Sequence, residues 1–242
     1  MIENMLMKKR RTVPLRALLD QSVGSPMADR SNCDLCGRCS EACPAQAIKV
    51  SEKWAVDLGR CLWCGDCLES CERGVISMTG SCDATSSRED LIRSEDRVEQ
   101  AGLRLKDEIG RVLGRSLAIR EVDAGSCNGC EVEVNALSNP IYDMERFGIK
   151  IVASPRHADM LLVTGPVTRN MLPALMKTYR AMPEPRLVAA MGTCAISGGP
   201  FGGTYAAGNG VAEALPVDIY IPGCPPHPRT IVLALMEALG RL

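Results

Sequence analysis

The sequence predicts an α/β protein in which a doubly wound parallel sheet follows a small α+β domain, and three observations lead there. Beyond residue 115, short apolar runs alternate with helix-compatible segments; between residues 33 and 71, eight cysteines fall in two copies of one spacing; a charged and aliphatic stretch separates the two regions. With 242 residues, 46% of them hydrophobic, the chain can bury a sizeable core. A formal net charge of −1 supplies no footprint for a polyanion, so nucleic acid is excluded as an expected partner.

Residues 1 to 30 read as a basic amino-terminal extension. Lys8, Lys9, Arg10 and Arg11 are followed by Pro14 and Arg16, so no apolar export core follows the basic run. The segment is expected to be a solvated tail, with docking on a partner or an anionic membrane face as the alternative. No run of about 18 uncharged apolar residues signals a membrane span. A cytoplasmic location is therefore expected, where thiols stay reduced and available for metal.

Residues 31 to 81 form the first module. Cys33-Asp-Leu-Cys36-Gly-Arg-Cys39-Ser-Glu-Ala-Cys43 is echoed by Cys61-Leu-Trp-Cys64-Gly-Asp-Cys67-Leu-Glu-Ser-Cys71, an internal repeat that keeps even Gly37 and Gly65. This is the spacing of a bacterial-ferredoxin-like domain with two [4Fe-4S] clusters. Three thiolates on a tight loop reach three irons of one cube, and the fourth cysteine reaches the neighbouring cube. Cys33, Cys36, Cys39 and Cys71 are thus expected on one cluster, and Cys43, Cys61, Cys64 and Cys67 on the other. A pair of structural zinc sites is the competing reading, although zinc ribbons and fingers separate their cysteine pairs by a longer loop. The first run ends Cys43-Pro44 and the second Cys71-Glu72, so the second turn lacks a stiffening proline. Ala47 to Val50 and Gly74 to Ser77 are apolar enough to cover the clusters as short strands or turns.

From residue 82 to 114 the spacing of Leu91, Val98, Leu103, Ile109 and Leu113 predicts a connecting helix, with a solvated linker as the alternative. Cys82 fits neither cysteine motif and is expected as a free thiol, with a replacement cluster ligand as the alternative.

Residues 115 to 242 form the second module. Strands are expected at Leu117 to Val122, Lys150 to Ala153, Met160 to Val163, Leu187 to Met191 and Asp218 to Ile221, and helices from near Cys130, over Asn170 to Ala181 and over Arg229 to Leu239. Such alternation reads as a flavodoxin-like doubly wound sheet. Cys127, Cys130, Cys194 and Cys224 each follow the end of an expected strand, and ligands of open α/β sheets bind in the crevice at those ends. A third [4Fe-4S] cluster is expected there, with structural zinc or four buried free thiols as alternatives. Gly125, Gly129, Gly192, Gly198 and Gly199 beside them suit backbone passing close to an inorganic core. The glycine run Gly198-Gly-Pro-Phe-Gly-Gly203 lacks the lysine and serine of a phosphate loop.

Five separated motifs carry a family resemblance: Asp123-Ala-Gly-Ser-Cys127-Asn-Gly-Cys130-Glu-Val-Glu133, Ser154-Pro-Arg-His-Ala-Asp159, Met182-Pro-Glu-Pro185, Met191-Gly-Thr-Cys194 and Ile221-Pro-Gly-Cys-Pro-Pro226. Together, over nearly all of residues 116 to 242, they resemble the small-subunit family of [NiFe] hydrogenases and the related 20 kDa (B) subunit of respiratory complex I. Cys127-x-x-Cys130 has the hydrogenase form, whereas complex I members typically carry adjacent cysteines there. The resemblance is greatest to complex-I-related, membrane-associated hydrogenases, including formate hydrogenlyase and energy-converting types. It implies an electron-transfer subunit, not catalytic alone, whose third cluster lies next to the nickel-iron site of a separate, complex I 49 kDa-like large subunit. It also implies a peripheral place on the inner face of the cytoplasmic membrane through partner subunits, with NADH/quinone oxidoreductase chemistry as the alternative. The fused ferredoxin module departs from the family's usual separate chain. By the same resemblance Glu133, Arg156 and His157 adjust the third cluster, although Glu133 also suits a helix amino terminus and the other two suit ordinary interface contacts. His227, beside Cys224, is ambiguous in the same way.

Overall fold

The computed structural model describes residues 24–29, 31–79, 84–94 and 116–239. The cysteine-rich part is built from short strands because its loops are committed to presenting thiols. β1 (Pro26–Ala28) pairs antiparallel with β4 (Ile76–Met78), and β2 (Ile48–Val50), β3 (Trp54–Asp57) and β5 (Ile92–Arg93) form a second antiparallel sheet in that order. Two single-turn helices, α1 (Arg38–Glu41) and α2 (Asp66–Glu69), occupy matching places in the two cysteine runs.

Two expectations meet a different arrangement. Residues 26 to 28, assigned to the basic extension, close the module as strand β1. The connecting helix expected over 82 to 114 does not begin within residues 84–94, where a single 3₁₀ turn at Glu89–Leu91 leads into β5. Leu91, read as part of a helical stripe, is instead fully buried at this turn, and its carbonyl accepts from Leu58 N at 2.9 Å. The rest of that expected helix, and Cys82, lie outside the described residues.

The second module is the expected doubly wound sheet. β6 (Leu117–Asp123), β7 (Ile149–Ile151), β8 (Met160–Thr164), β9 (Leu187–Met191) and β10 (Ile219–Ile221) are all parallel, in the order β10-β9-β8-β6-β7. Numbered within the module this is 2-1-3-4-5, the flavodoxin-like order. Its helices are α3 (Gly129–Ala136), α4 (Leu172–Ala181), α5 (Thr193–Ser197) and α6 (Pro228–Ala238).

Alternation along the strands divides the core. Met160 and Leu162 pack with Val134 and with Ile231 and Leu235 of α6 on one face. Leu161 and Val163 point the other way, into a core that holds Leu175 and Ile196 and runs on into Val56, Leu58 and Leu91 of the cysteine-rich part. One face of the sheet is therefore covered partly by the first module itself. A backbone bridge adds to this, with Thr85 N donating to Tyr220 O at 3.1 Å and Tyr220 N to Thr85 O at 2.8 Å.

Candidate metal centres

The sequence repeat is also a repeat of backbone shape. Leu35 and Trp63 have φ of 55° and 54°, and Gly37 and Gly65, which open α1 and α2, have φ of 83° and 88°. A left-handed residue followed by a glycine in that same region turns each loop tightly enough to aim three thiols inward. Cys33, Cys36, Cys39 and Cys71 line one concavity of about 260 Å³. Cys43, Cys61, Cys64 and Cys67 line another.

Where the second run lacks a proline, ion pairs reach back to the first. Glu72 pairs with Arg38, and Arg73 Nε lies 3.0 Å from Asp34 Oδ2. The Arg38 guanidinium, through its hydrogen bond and charge, holds the Glu72 carboxyl below the usual carboxylate range. Exposed pairs of this kind add little stability, but they fix the turn that carries Cys71.

The third group gathers from three strand ends. Cys127 lies in the loop after β6, Cys130 on the first turn of α3, Cys194 on the first turn of α5 and Cys224 just past β10. Burial and then the Glu131 carboxylate raise the Cys130 thiol, and Cys194, Cys127 and Cys224 lie near enough that each, as a thiolate, would raise it further. A methyl group built on Gly192 would lie 2.7 Å from Cys130 Sγ, and one on Gly199 2.9 Å from Cys194 Sγ, so the backbone passes directly against the sulfurs. The loops are tied to each other: Thr193 N donates to Gly223 O and Gly192 N to Ile221 O, both at 2.9 Å.

Chemically these are burial-dominated thiol sites. Burial pushes Cys61 up to about 12 and Cys67 and Cys194 up to about 11, and raises Cys130 and Cys39. Thiols so placed become thiolates only when a strongly bound cation replaces their protons. Among the described residues, no three His, Cys, Asp or Glu side chains gather closely enough for a single ion, as a tetrahedral zinc with bonds near 2.3 Å requires. The first group surrounds a space rather than a point, and an iron-sulfur cube, which spreads four thiolates over four irons, fits that geometry; the second repeats its cysteine spacing and backbone turns around a tighter concavity of about 20 Å³. Amide donors already face the sulfurs, Ala47 N to Cys43 Sγ at 3.2 Å and Trp63 N to Cys61 Sγ at 3.4 Å.

The acid beside the third group is Glu131. It acts on both Cys130 and Cys194, accepts from Ser126 Oγ at 2.7 Å, and accepts from Thr164 Oγ1. Burial, and then the Glu131 charge, raise the neighbouring Glu121 carboxyl, whose Oε1 lies 3.5 Å from the same hydroxyl. Glu133, singled out from the sequence, is half-buried on α3, and its charge helps raise the Tyr142 phenol after burial. Sequence reasoning missed Glu131 because a helix turns two successive acids in a Glu-x-Glu pattern to different faces, and only Thr164 at the end of β8 identifies the inner one. Glu131→Ala removes the acceptor of Ser126 Oγ and leaves the fully buried Thr164 hydroxyl only the longer contact to Glu121. The expected cost is about 1–3 kcal/mol, read as a lower urea midpoint at unchanged m-value.

Arg156 and His157 are not brought to the thiols. They are exposed on the 3₁₀ turn Pro155–His157 that leads into the amino-terminal end of β8. In a parallel sheet that end lies on the opposite edge from the loops that carry the cysteines. His227 caps α6, its Nδ1 accepting from Arg229 N at 3.3 Å, and packs edge-on to Tyr142 at 5.9 Å. That is a structural role.

Comparison with known proteins gives two family matches. The NADH ubiquinone oxidoreductase 20 Kd subunit family matches residues 127–238, and the 4Fe-4S dicluster domain matches residues 32–75. Formate hydrogenlyase subunit 7 of Escherichia coli (strain K12) is 43% identical over 145 residues, 60% of this chain and 57% of that protein. The probable membrane-bound hydrogenase subunit mbhJ of Pyrococcus furiosus is 43% identical over 135 residues, 56% of this chain and 81% of that one. An NADH-quinone oxidoreductase subunit of Geobacter sp. (strain M21) is 50% identical over 113 residues, 47% and 66% of the two chains. The chain thus spans little more than half the length of the first of these relatives and four fifths of the second.

Proposed function

The chain belongs to the family of the NADH ubiquinone oxidoreductase 20 Kd subunit, here joined to a 4Fe-4S dicluster domain, and from that premise we propose that it is the electron-transfer subunit of a multisubunit [NiFe] hydrogenase. In this reading it relays electrons between a ferredoxin-type donor and the nickel-iron site of a partner large subunit. Three [4Fe-4S] clusters are held by Cys33, Cys36, Cys39 and Cys71, by Cys43, Cys61, Cys64 and Cys67, and by Cys127, Cys130, Cys194 and Cys224. When bound, such clusters supply one-electron transfer with little change in geometry. Bond making belongs to the partner.

The observation that carries the reading is the order of the thiol groups. Thr193, next to Cys194 of the third group, donates its hydroxyl to the carbonyl of Cys61 of the second at 2.7 Å, which favours a chain of sites running first, second, third. The far end is open to a partner: Cys127 and Cys224 are exposed, and Val132, two residues beyond Cys130, is 62% exposed. Cys127-x-x-Cys130 favours a nickel-iron large subunit as that partner. Among the described residues no helix is long and apolar enough to cross a membrane, consistent with attachment to a membrane complex through other subunits.

Transfer to quinone in a complex-I-like assembly is the second reading, favoured by the 50% identity to the NADH-quinone oxidoreductase subunit of Geobacter. Anaerobic reconstitution is expected to load about twelve irons per chain, with dithionite-reduced resonance signals from all three sites. Iron near zero with stoichiometric zinc overturns the proposal. Hydrogen evolution by the complex isolated with its large subunit supports the hydrogenase reading, and quinone reduction without hydrogen evolution supports the alternative.

A further inference from the structure

The side chain of Thr193 lies between two of the thiol groups. Its residue is 1% exposed, and its hydroxyl donates to the carbonyl of Cys61 at 2.7 Å, across 132 positions of sequence. The same oxygen lies 3.1 Å from Gly223 O, but Gly223 O already accepts from Thr193 N at 2.9 Å. A hydroxyl has one proton to give, and the shorter contact marks Cys61 O as its acceptor. Thr193 precedes Cys194, Gly223 precedes Cys224, and Cys61 belongs to the second group. One buried side chain therefore touches a loop of the second thiol group and both loops that deliver the last two cysteines of the third.

Nothing comparable ties the first run to the sheet among the described residues, although the two runs share their backbone shape. The second run alone is drawn against α5. Next to Cys61, a methyl group built on Gly59 would lie 2.8 Å from Ile196 Cγ2, so the close approach continues past Thr193 along that helix.

We propose that Thr193 is a positioning residue that sets the separation between the second and third clusters, fixing the span an electron crosses between the ferredoxin-like module and the sheet. This rests on the iron-sulfur reading above. The hydroxyl itself neither binds iron nor exchanges a proton; it locks the loop of Cys61 to the loops of Cys194 and Cys224 in a site closed to water.

The test uses the full chain, reconstituted anaerobically, in three forms: parent, Thr193→Val, which keeps the shape and removes the hydroxyl, and Thr193→Ser, which keeps the hydroxyl. Electron paramagnetic resonance of the dithionite-reduced protein reads the magnetic interaction between neighbouring clusters, which falls steeply with distance. Hydrogen exchange reads the amides of residues 61 to 65 and 193 to 196. Thr193→Val is expected to keep the parent's iron content, to show weakened spin coupling, and to exchange on the order of tenfold faster in both loops together. Thr193→Ser is expected to match the parent in all three. The proposal is overturned if Thr193→Val keeps the parent's coupling, if Thr193→Ser changes as Thr193→Val does, or if Thr193→Val loses four irons, since the hydroxyl would then support the third group alone. A parent chain that binds no iron would sink the iron-sulfur reading instead, while the exchange comparison would still report whether Thr193 holds the two loops together.

Discussion

Replacing Gly192 by alanine is expected to empty the third thiol group while sparing the other two, lowering iron from about twelve to about eight per reconstituted chain. Two independent costs fall on this position. Gly192 has φ 87° and ψ 155°, a region essentially reserved for glycine, where another residue costs about 1–3 kcal/mol. The added methyl would also lie 2.7 Å from Cys130 Sγ, closer than a carbon and a sulfur can approach. Cys130 cannot yield freely, because it sits on the first turn of α3, whose Val134 is packed into the core under the sheet. The sulfur must therefore leave the position from which it meets Cys194 and Cys224. Gly203→Ala separates the two costs. Gly203 also has positive φ, 69°, but a methyl there meets nothing closer than Asn209 Oδ1 at 3.6 Å. It should lose stability yet keep all its iron. Full iron in Gly192→Ala would show that the third group tolerates displacement of Cys130 and is not a rigid site.

How much of this was legible in the chain depends on whether the determining contact is local. Both cysteine runs were legible because each folds on itself within eleven residues and is repeated with the same glycine. The central sheet strands were legible as apolar runs because a parallel strand with both faces covered has little polar surface; every residue of β8 and β9 is buried, whereas in the edge strand β7 only Ile149 is. β5 left no such trace. It is two residues long and exists only because β3 offers Val56 and Asp57 as partners, while Leu91 falls at helical spacing with Val98 and Leu103, which lie outside the described residues. β1 begins with a proline, which suits the start of an edge strand, and its partner lies about fifty positions away. The third thiol group was legible from strand order, since loops at the carboxyl ends of parallel strands share one edge. That rule also places Arg156 and His157 on the other edge, once the position of β8 is known. Thr193 and Glu131 both sit beside cysteines in the quoted motifs, but their partners, Cys61 O and Thr164 Oγ1, belong to other elements, and no periodicity marks such pairs.

The seam between the modules supplies the second large effect, at Asp57. This residue ends β3, accepts from Gly59 N at 2.9 Å, and takes a two-point grip on Arg88, at 2.8 Å from Nη1 and 2.7 Å from Nη2. The two side chains are 18% and 29% exposed, and a methyl built on Gly59 would lie 2.7 Å from Arg88 Cζ and 2.8 Å from Ile196 Cγ2. The guanidinium thus lies where the first module meets α5. Asp57→Ala strands that cation in a place it cannot leave without opening the seam. A fully buried pair broken in this way costs about 3–5 kcal/mol; partial exposure reduces this to about 2 kcal/mol, or about 4–8 °C in melting temperature for a chain of this size. Removing both charges, as Asp57→Ala with Arg88→Met, should recover much of the loss, because the methionine fills the same space without a charge to desolvate. A double variant no more stable than Asp57→Ala would place the cost in the Gly59 turn instead. Because that turn runs directly into Cys61, the single variant should also lose iron from the second thiol group before the first under chelator, so that the order of loss reports how the seam supports the site nearest to it.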